Sequence, residues 1–193
     1  MKVILSCTTT FERRHIFYYG IQSLLSQSIE PDLFLANISK KSFSESGRIP
    51  QWLNKNNINI NLVEDLGPYT KLLPALKYAE DDDLIITADD DILYQSNWLR
   101  ELVELSREAP ESIICARARK MKKNFFGEWQ NYNNWHLVKN KKKAMNLLPT
   151  GVGGVGYRTK LLDLDFLTDT AFLKLAPTTD DLWFRMASLR EKN

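Results

Sequence analysis

The chain has 193 residues, 44% hydrophobic and 26% charged, with a formal net charge of +2. That length buries a real core and predicts one domain, and the net charge is too weak to predict a nucleic-acid partner. No apolar run approaches the roughly 18 residues a membrane-spanning helix needs, and the short run at the N-terminus is too brief for a secretory leader. Both observations predict a cytoplasmic protein.

Residues 3–7 are β-branched and aliphatic and predict a first strand; polar Thr8-Thr9-Thr10 follows, then a helical pattern over 13–27 carrying Ile16, Ile21, Leu24 and Leu25. Residues 32–38 and 58–63 predict two more strands, with a helical turn over 49–55 between them. A helix is expected over 70–79, a buried strand over 84–87, and an amphipathic helix over 95–107 with Trp98, Leu102 and Leu105 on one face. A strand at 113–116 completes the set. Strands alternating with helices predict an α/β domain with a Rossmann-like, mainly parallel sheet and helices on both faces. Ligands bind such sheets outside the carboxyl ends of the strands, here at 8–12, 39–46, 64–68, 88–91 and from Arg117 onward.

After Arg117 the texture changes. Arg117, Arg119, Lys120, Lys122 and Lys123 precede Phe125, Phe126, Trp129, Tyr132 and Trp135, and Lys139 and Lys141 to Lys143 follow. Aromatic faces suit sugar rings, while a loop whose aromatics pack on the body and whose lysines stay solvated is an equal alternative. The glycine-rich run 151–156 comes next, and a last helix is expected from about Thr179 through Arg190.

Cys7 and Cys115 lie in apolar stretches and imply no disulfide framework. With only His15 and His136 besides, a Cys/His zinc site is not expected, so any metal must be held by oxygen. Asp89-Asp90-Asp91 directly follows the strand at 84–87, where charged groups are costly unless paired or metal-bound. In extended backbone Asp89 and Asp91 point the same way, so both can face one Mg2+ or Mn2+ ion whose shell is completed by water and phosphate oxygens. Asp81-Asp82-Asp83 precedes the same strand, at the opposite edge of the sheet, and reads as an exposed turn.

Four motifs in one order carry a family resemblance: the run 3–10 with Ser23-Leu24-Leu25-Ser26-Gln27, the strand end Ile85 to Ile92 containing the aspartates, the glycine-rich Leu148 to Arg158, and Asp180-Asp181-Leu182-Trp183-Phe184-Arg185. Together they resemble the family-two glycosyltransferases. The resemblance implies a GT-A fold in which residues 1–116 bind the nucleotide sugar and 117–193 bind the acceptor and supply the catalytic base. It implies Thr8, Thr9, Thr10, Glu12, Lys71, Asp89 and Asp90 at the donor, Asp91 with Asp89 at the metal, and Gly153, Gly154, Trp129 and Trp135 on the acceptor side. Lys71, in Gly67-Pro68-Tyr69-Thr70-Lys71, is read equally as a phosphate contact or as an exposed helix-start lysine. Typical members end the second strand in an aspartate that contacts the nucleotide base, where this chain has Asn37-Ile38-Ser39.

Aligning on D-L-W-x-R would put the base on Thr179; aligning on the paired acids puts it on Asp180 or Asp181, and only a carboxylate accepts a proton near neutral pH. The implied reaction is metal-dependent, inverting transfer of a sugar from a nucleoside-diphosphate donor to a saccharide or glycolipid acceptor, as in surface polysaccharide or glycolipid synthesis. Peripheral contact at the inner face of the membrane is compatible with it. The alternatives are a noncatalytic sugar- or nucleotide-binding module and a sugar-phosphate nucleotidyltransferase, although the G-x-G-x-R usual in the latter is missing from the glycine-free 8–14.

Overall fold

The computed structural model describes residues 1–45, 49–54 and 57–191. In chain order it contains β1 (Val3–Thr9), α1 (Arg14–Leu25), β2 (Leu33–Ser39), α2 (Lys40–Glu45), β3 (Asn59–Val63), β4 (Leu84–Ala88), α3 (Trp98–Glu108), β5 (Ile114–Cys115), β6 (Ala118–Lys120), β7 (His136–Leu137), β8 (Leu147–Pro149), β9 (Val155–Tyr157), α4 (Leu164–Thr168), α5 (Phe172–Leu175) and α6 (Asp180–Arg190). Six strands form one sheet in the order β3-β2-β1-β4-β9-β5, and β7-β6-β8 form a second. β1 to β4 are mutually parallel; β9 runs antiparallel to both β4 and β5. The predicted mainly parallel sheet is therefore present. Its antiparallel member comes from the glycine-rich run.

Successive strand residues face opposite ways, so the sheet has two cores. Val3, Leu5, Cys7, Leu84, Ile86 and Ala88 pack under α1 and α3. Ile4, Leu35, Ile85, Val155 and Tyr157 pack on the other face with Tyr69, Leu72, Phe172 and Phe184. Ile4, Leu5, Ile85 and Ile86 are completely buried, and burial stabilises each such side chain by about 1.5–3 kcal/mol. Of the apolar residues in the first helical pattern, Ile21 and Leu24 face inward with Phe17 and Gly20, whereas Ile16 is 49% exposed.

The helix expected over 70–79 is two 3-10 segments, Gly67–Lys71 and Leu73–Tyr78. Pro74 has no N–H to continue the first segment's hydrogen bonding, so the chain restarts there. The turn over 50–54 closes through Leu53 N–H donating to Pro50 O; Ser46 and Lys55, at the ends of two expected segments, lie outside the described residues. Asp81 to Asp83 form the expected turn, where Asp83 accepts from the Lys2 and Glu80 N–H groups. No helix among the described residues is long and apolar enough to cross a membrane.

A polar ladder, buried from Asn61 inward, crosses three strands. Lys77 Nζ and Asn61 Nδ2 donate in turn to Asn61 Oδ1 and Asn37 Oδ1, Asn37 Nδ2 donates to Ser6 Oγ, and Ser6 Oγ donates to the backbone carbonyl of Lys71. Asn37 thus spends its side chain inside the sheet.

Candidate active site

The groove at the carboxyl ends of the parallel strands has a volume of about 530 Å³. Thr8, Thr9 and Thr10 line it from the end of β1, Lys71 from the first 3-10 segment, Asp89, Asp90 and Asp91 from beyond β4, Gly151 from beyond β8, and Asp180 and Asp181 from the start of α6. Every member of both acidic motifs therefore reaches one groove, although the motifs are about ninety residues apart.

The three aspartates have three environments. Asp89 Oδ1 accepts from Lys71 Nζ at 2.7 Å. Asp90 is buried, with both oxygens taken up by Thr9 Oγ1 at 2.7 Å and the Arg13 guanidinium at 2.6 and 2.8 Å. Asp91 is exposed and accepts from the same guanidinium at 3.0 Å. Asp90, expected at the donor, thus has its carboxylate committed to the protein. Burial opposes the Arg13 charge less than the hydrogen bond and field from Asp90 favour it, so the guanidinium stays protonated throughout.

The backbone of this loop is clamped by α1. A Cβ on Gly20 would stand 2.6 Å from Asp90 O, so only glycine allows the helix this close. Ser23 Oγ donates to Gly20 O and accepts from Tyr94 N–H, while Tyr94 Oη accepts from Asp89 N–H at 2.9 Å. Gln27 donates to Gln95 O and accepts from Leu99 N–H. The Ser23-to-Gln27 motif is thus the fastening between helix and acidic loop.

Opposite them, Lys71 is buried among carboxylates. Its Nζ lies 3.1 Å from Asp180 Oδ2, which accepts no hydrogen bond although it is buried. Burial works against the ammonium, but Asp180 and Asp89 outweigh it and hold Lys71 charged. The exposed-lysine alternative for this residue is therefore ruled out. Tyr69 fixes the segment: its ring stacks on Phe172 at 4.1 Å and its hydroxyl donates to Ala176 O at 2.6 Å.

Asp181 Oδ1 accepts from Gly151 N–H at 2.9 Å. Burial, then the adjacent Asp180 charge, push its carboxyl up to about 6, with Lys71 pulling in the other direction. A Cβ on Gly151 would lie 2.8 Å from Lys71 Nζ and 3.2 Å from Asp181 Oδ1, so glycine leaves the space between the two acidic motifs open.

Other expected residues lie elsewhere. Glu12 is exposed and does not line the groove. Trp135 is buried with Met121 and Leu148 beneath the small sheet, Trp129 is exposed on a hairpin, and Gly153 and Gly154 pack against Arg117 and Trp98. Arg117, Tyr132, Thr150 and Val152 line the groove in their place. In the sequence Arg13 opens a helical pattern, and no periodicity signals that its side chain turns back onto two aspartates 77 and 78 residues away.

Among the described residues no three carboxylate, imidazole or thiolate groups converge as a ready metal cage. The donor set nevertheless suits a hard cation completed by substrate oxygens, with exposed Asp91 and half-buried Asp89 on one groove.

The family profile described as "Glycosyl transferase family 2" matches residues 48–168, more than half of the chain. The chain belongs to glycosyl transferase family 2. The match takes in Lys71 and Asp89 to Asp91 and ends before the family-two chain's Asp180-Asp181 pair. No curated protein sequence matches. Among solved structures it is similar to S. aureus TarS residues 1–349 in complex with UDP, with a TM-score of 0.62, 21% identity, and coverage of 98% of this chain and 55% of that one. It is also similar to Francisella tularensis 2-C-methyl-D-erythritol 4-phosphate cytidylyltransferase, at TM-score 0.54, 12% identity and coverage of 96% and 86%, and to the inositol-1-phosphate CTP transferase from T. maritima, at 0.51, 14%, 100% and 82%. At these identities the likeness is one of fold, and it bears out the GT-A architecture. The family-two chain spans about half the length of the TarS fragment.

Proposed function

We propose that this family-two chain transfers a sugar from a nucleoside-diphosphate donor to an acceptor hydroxyl, with inversion at the anomeric carbon. The observation that carries this reading is the convergence of the strand-end carboxylates Asp89 and Asp91 with Asp181 on one groove, Asp181 having its carboxyl raised to about 6. A base poised near the working pH combines an ionised resting form with useful proton affinity.

In the proposed reaction Asp181 takes the proton of the acceptor hydroxyl. The hydroxyl oxygen forms a bond to the anomeric carbon from the face opposite the diphosphate, and the bond from that carbon to the diphosphate oxygen breaks. Gly151 N–H orients the base through its 2.9 Å hydrogen bond. Asp180 and Lys71 set the field around it, and Lys71 presents a fixed positive charge beside the phosphate-facing carboxylates. Asp91, with Asp89 directly or through water, would hold Mg2+ or Mn2+, which neutralises charge on the departing diphosphate. Residues 1–116 supply the donor half and 117–193 the acceptor half, with Arg117, Tyr132 and Val152 at the acceptor wall. The acceptor would be a saccharide or a glycolipid, and the site of action the cytoplasm.

Thermal stabilisation across a panel of sugar nucleotides, with and without manganese, tests the reading. Metal-dependent stabilisation by one nucleotide class, lost in Asp91→Asn, is expected. No response to any sugar nucleotide sinks the proposal, and binding with neither transfer nor hydrolysis would make the chain a binding module.

A further inference from the structure

The excursion between β5 and β9 ends in a hairpin tip that holds two phenylalanines in water. Phe125 is 98% exposed and Phe126 85%. The turn beneath them is fixed rather than loose. Lys123 pairs with Trp129 across it, Asn124 N–H donates to Glu128 O at 2.8 Å, and Asn124 Oδ1 accepts from the Phe126 and Glu128 N–H groups at 3.0 Å each. Gly127 closes the turn at φ +85°, a conformation that favours glycine. The two rings stand edge to face with centroids 5.6 Å apart, and Lys123 Nζ lies over the Trp129 ring.

Large apolar side chains kept bare by an ordered turn mark a contact surface, and the surrounding charge identifies its partner. Residues 117–143 contain nine Lys and Arg against the single acid Glu128, a net +8, which leaves −6 for the rest of a chain whose total is +2. Lys120, Lys123, Lys139, Lys142 and Lys143 are exposed. Bare aromatics among lysines combine an apolar wedge with attraction to anionic headgroups. A second copy of this chain would instead present a body of opposite sign with an apolar pocket lined by Ile16, Tyr19 and Leu93, an occupant the self-association measurement below distinguishes. We propose that the hairpin tip docks on an anionic lipid surface, Phe125 and Phe126 entering the headgroup boundary and the flanking lysines meeting lipid phosphates. Tyr132, at the root of the same excursion, lines the active-site groove, so docking would hold that groove beside the membrane. The proposal stands independently of the sugar-transfer reading.

Co-sedimentation with vesicles of phosphatidylcholine alone and of phosphatidylcholine mixed equally with phosphatidylglycerol tests it. The wild type is expected to bind the mixed vesicles only, and less as salt rises. Phe125→Ala/Phe126→Ala should weaken binding on the order of tenfold with unchanged Tm, and Lys141→Gln/Lys142→Gln/Lys143→Gln should flatten the salt dependence. If the double variant misfolds, Phe125→Ala alone provides the same readout. Failure of the wild type to bind anionic vesicles overturns the proposal, as does undiminished binding by a folded phenylalanine variant. So does concentration-dependent self-association, measured by analytical ultracentrifugation, that the same variant abolishes.

Discussion

Asp180 and Asp181 are adjacent in sequence and differently placed. Asp180 is buried against Lys71, whereas Asp181 opens to the groove under a single N–H donor. Asp181→Asn would remove the proposed proton acceptor while leaving Lys71 and Asp89 to Asp91 in place. Its kcat should fall roughly 10²–10⁴-fold with sugar-nucleotide stabilisation retained, as single-turnover and thermal-shift measurements would check; full activity in this variant would exclude Asp181 as the base. Because the base must be ionised, kcat/KM should decline as pH falls through about 6, the value to which burial raises Asp181. Lys71 pulls that value down, so in Lys71→Met the acid limb of the pH profile should move to higher pH; a limb that stayed fixed would separate Lys71 from the base. The acidic triplet was legible as a strand-end site, whereas the Asp180-Asp181 pair was legible only through the family resemblance. Which acid each cation engages was not legible, because Arg13 and Lys71 reach their partners through tertiary packing alone.

At the scale of elements, β1 to β5 and the helices α1, α3 and α6 were legible from the residue pattern, with ends displaced by up to three residues. Two regions resisted. Pro74 splits the segment over 67–78, and in 117–149 the strands are two or three residues long and held by pairing partners distant in sequence. The turn before β9 depends on one glycine that sequence placed on the acceptor side. Gly154 adopts φ +85°, and a Cβ there would lie 2.3 Å from the Trp98 ring, whose Nε1 donates to Gly153 O at 2.8 Å. Gly154→Ala therefore combines a strained backbone with a clash against a rigid indole, and should destabilise the fold by about 1–3 kcal/mol. Thermal or urea unfolding would read this as a lowered midpoint; an unchanged midpoint would mean that α3 gives way without cost.

At the scale of the whole molecule, two cores on the two faces of one sheet hold the groove between the strand-end aspartates and the start of α6. The sheet itself is wired to the site, since the ladder from Lys77 through Asn61, Asn37 and Ser6 ends on the Lys71 carbonyl. Asn37, in the strand end Asn37-Ile38-Ser39 that stands where typical family members carry a base-contacting aspartate, is committed to this ladder, so in the proposed reaction base recognition would fall to other groups on the groove. The uneven distribution of charge has its own consequence for how the protein behaves in bulk. A sequence pI near 8.4 describes an average over +8 in residues 117–143 and −6 in the rest of the chain, so charge of the two signs is unevenly placed along the chain. At neutral pH and low salt it should be retained by cation- and anion-exchange resins alike, each gripping a different end. Unretarded passage through the anion exchanger would show that the acidic body presents no continuous face. Near a negatively charged polymer such a molecule is expected to approach with residues 117–143 foremost.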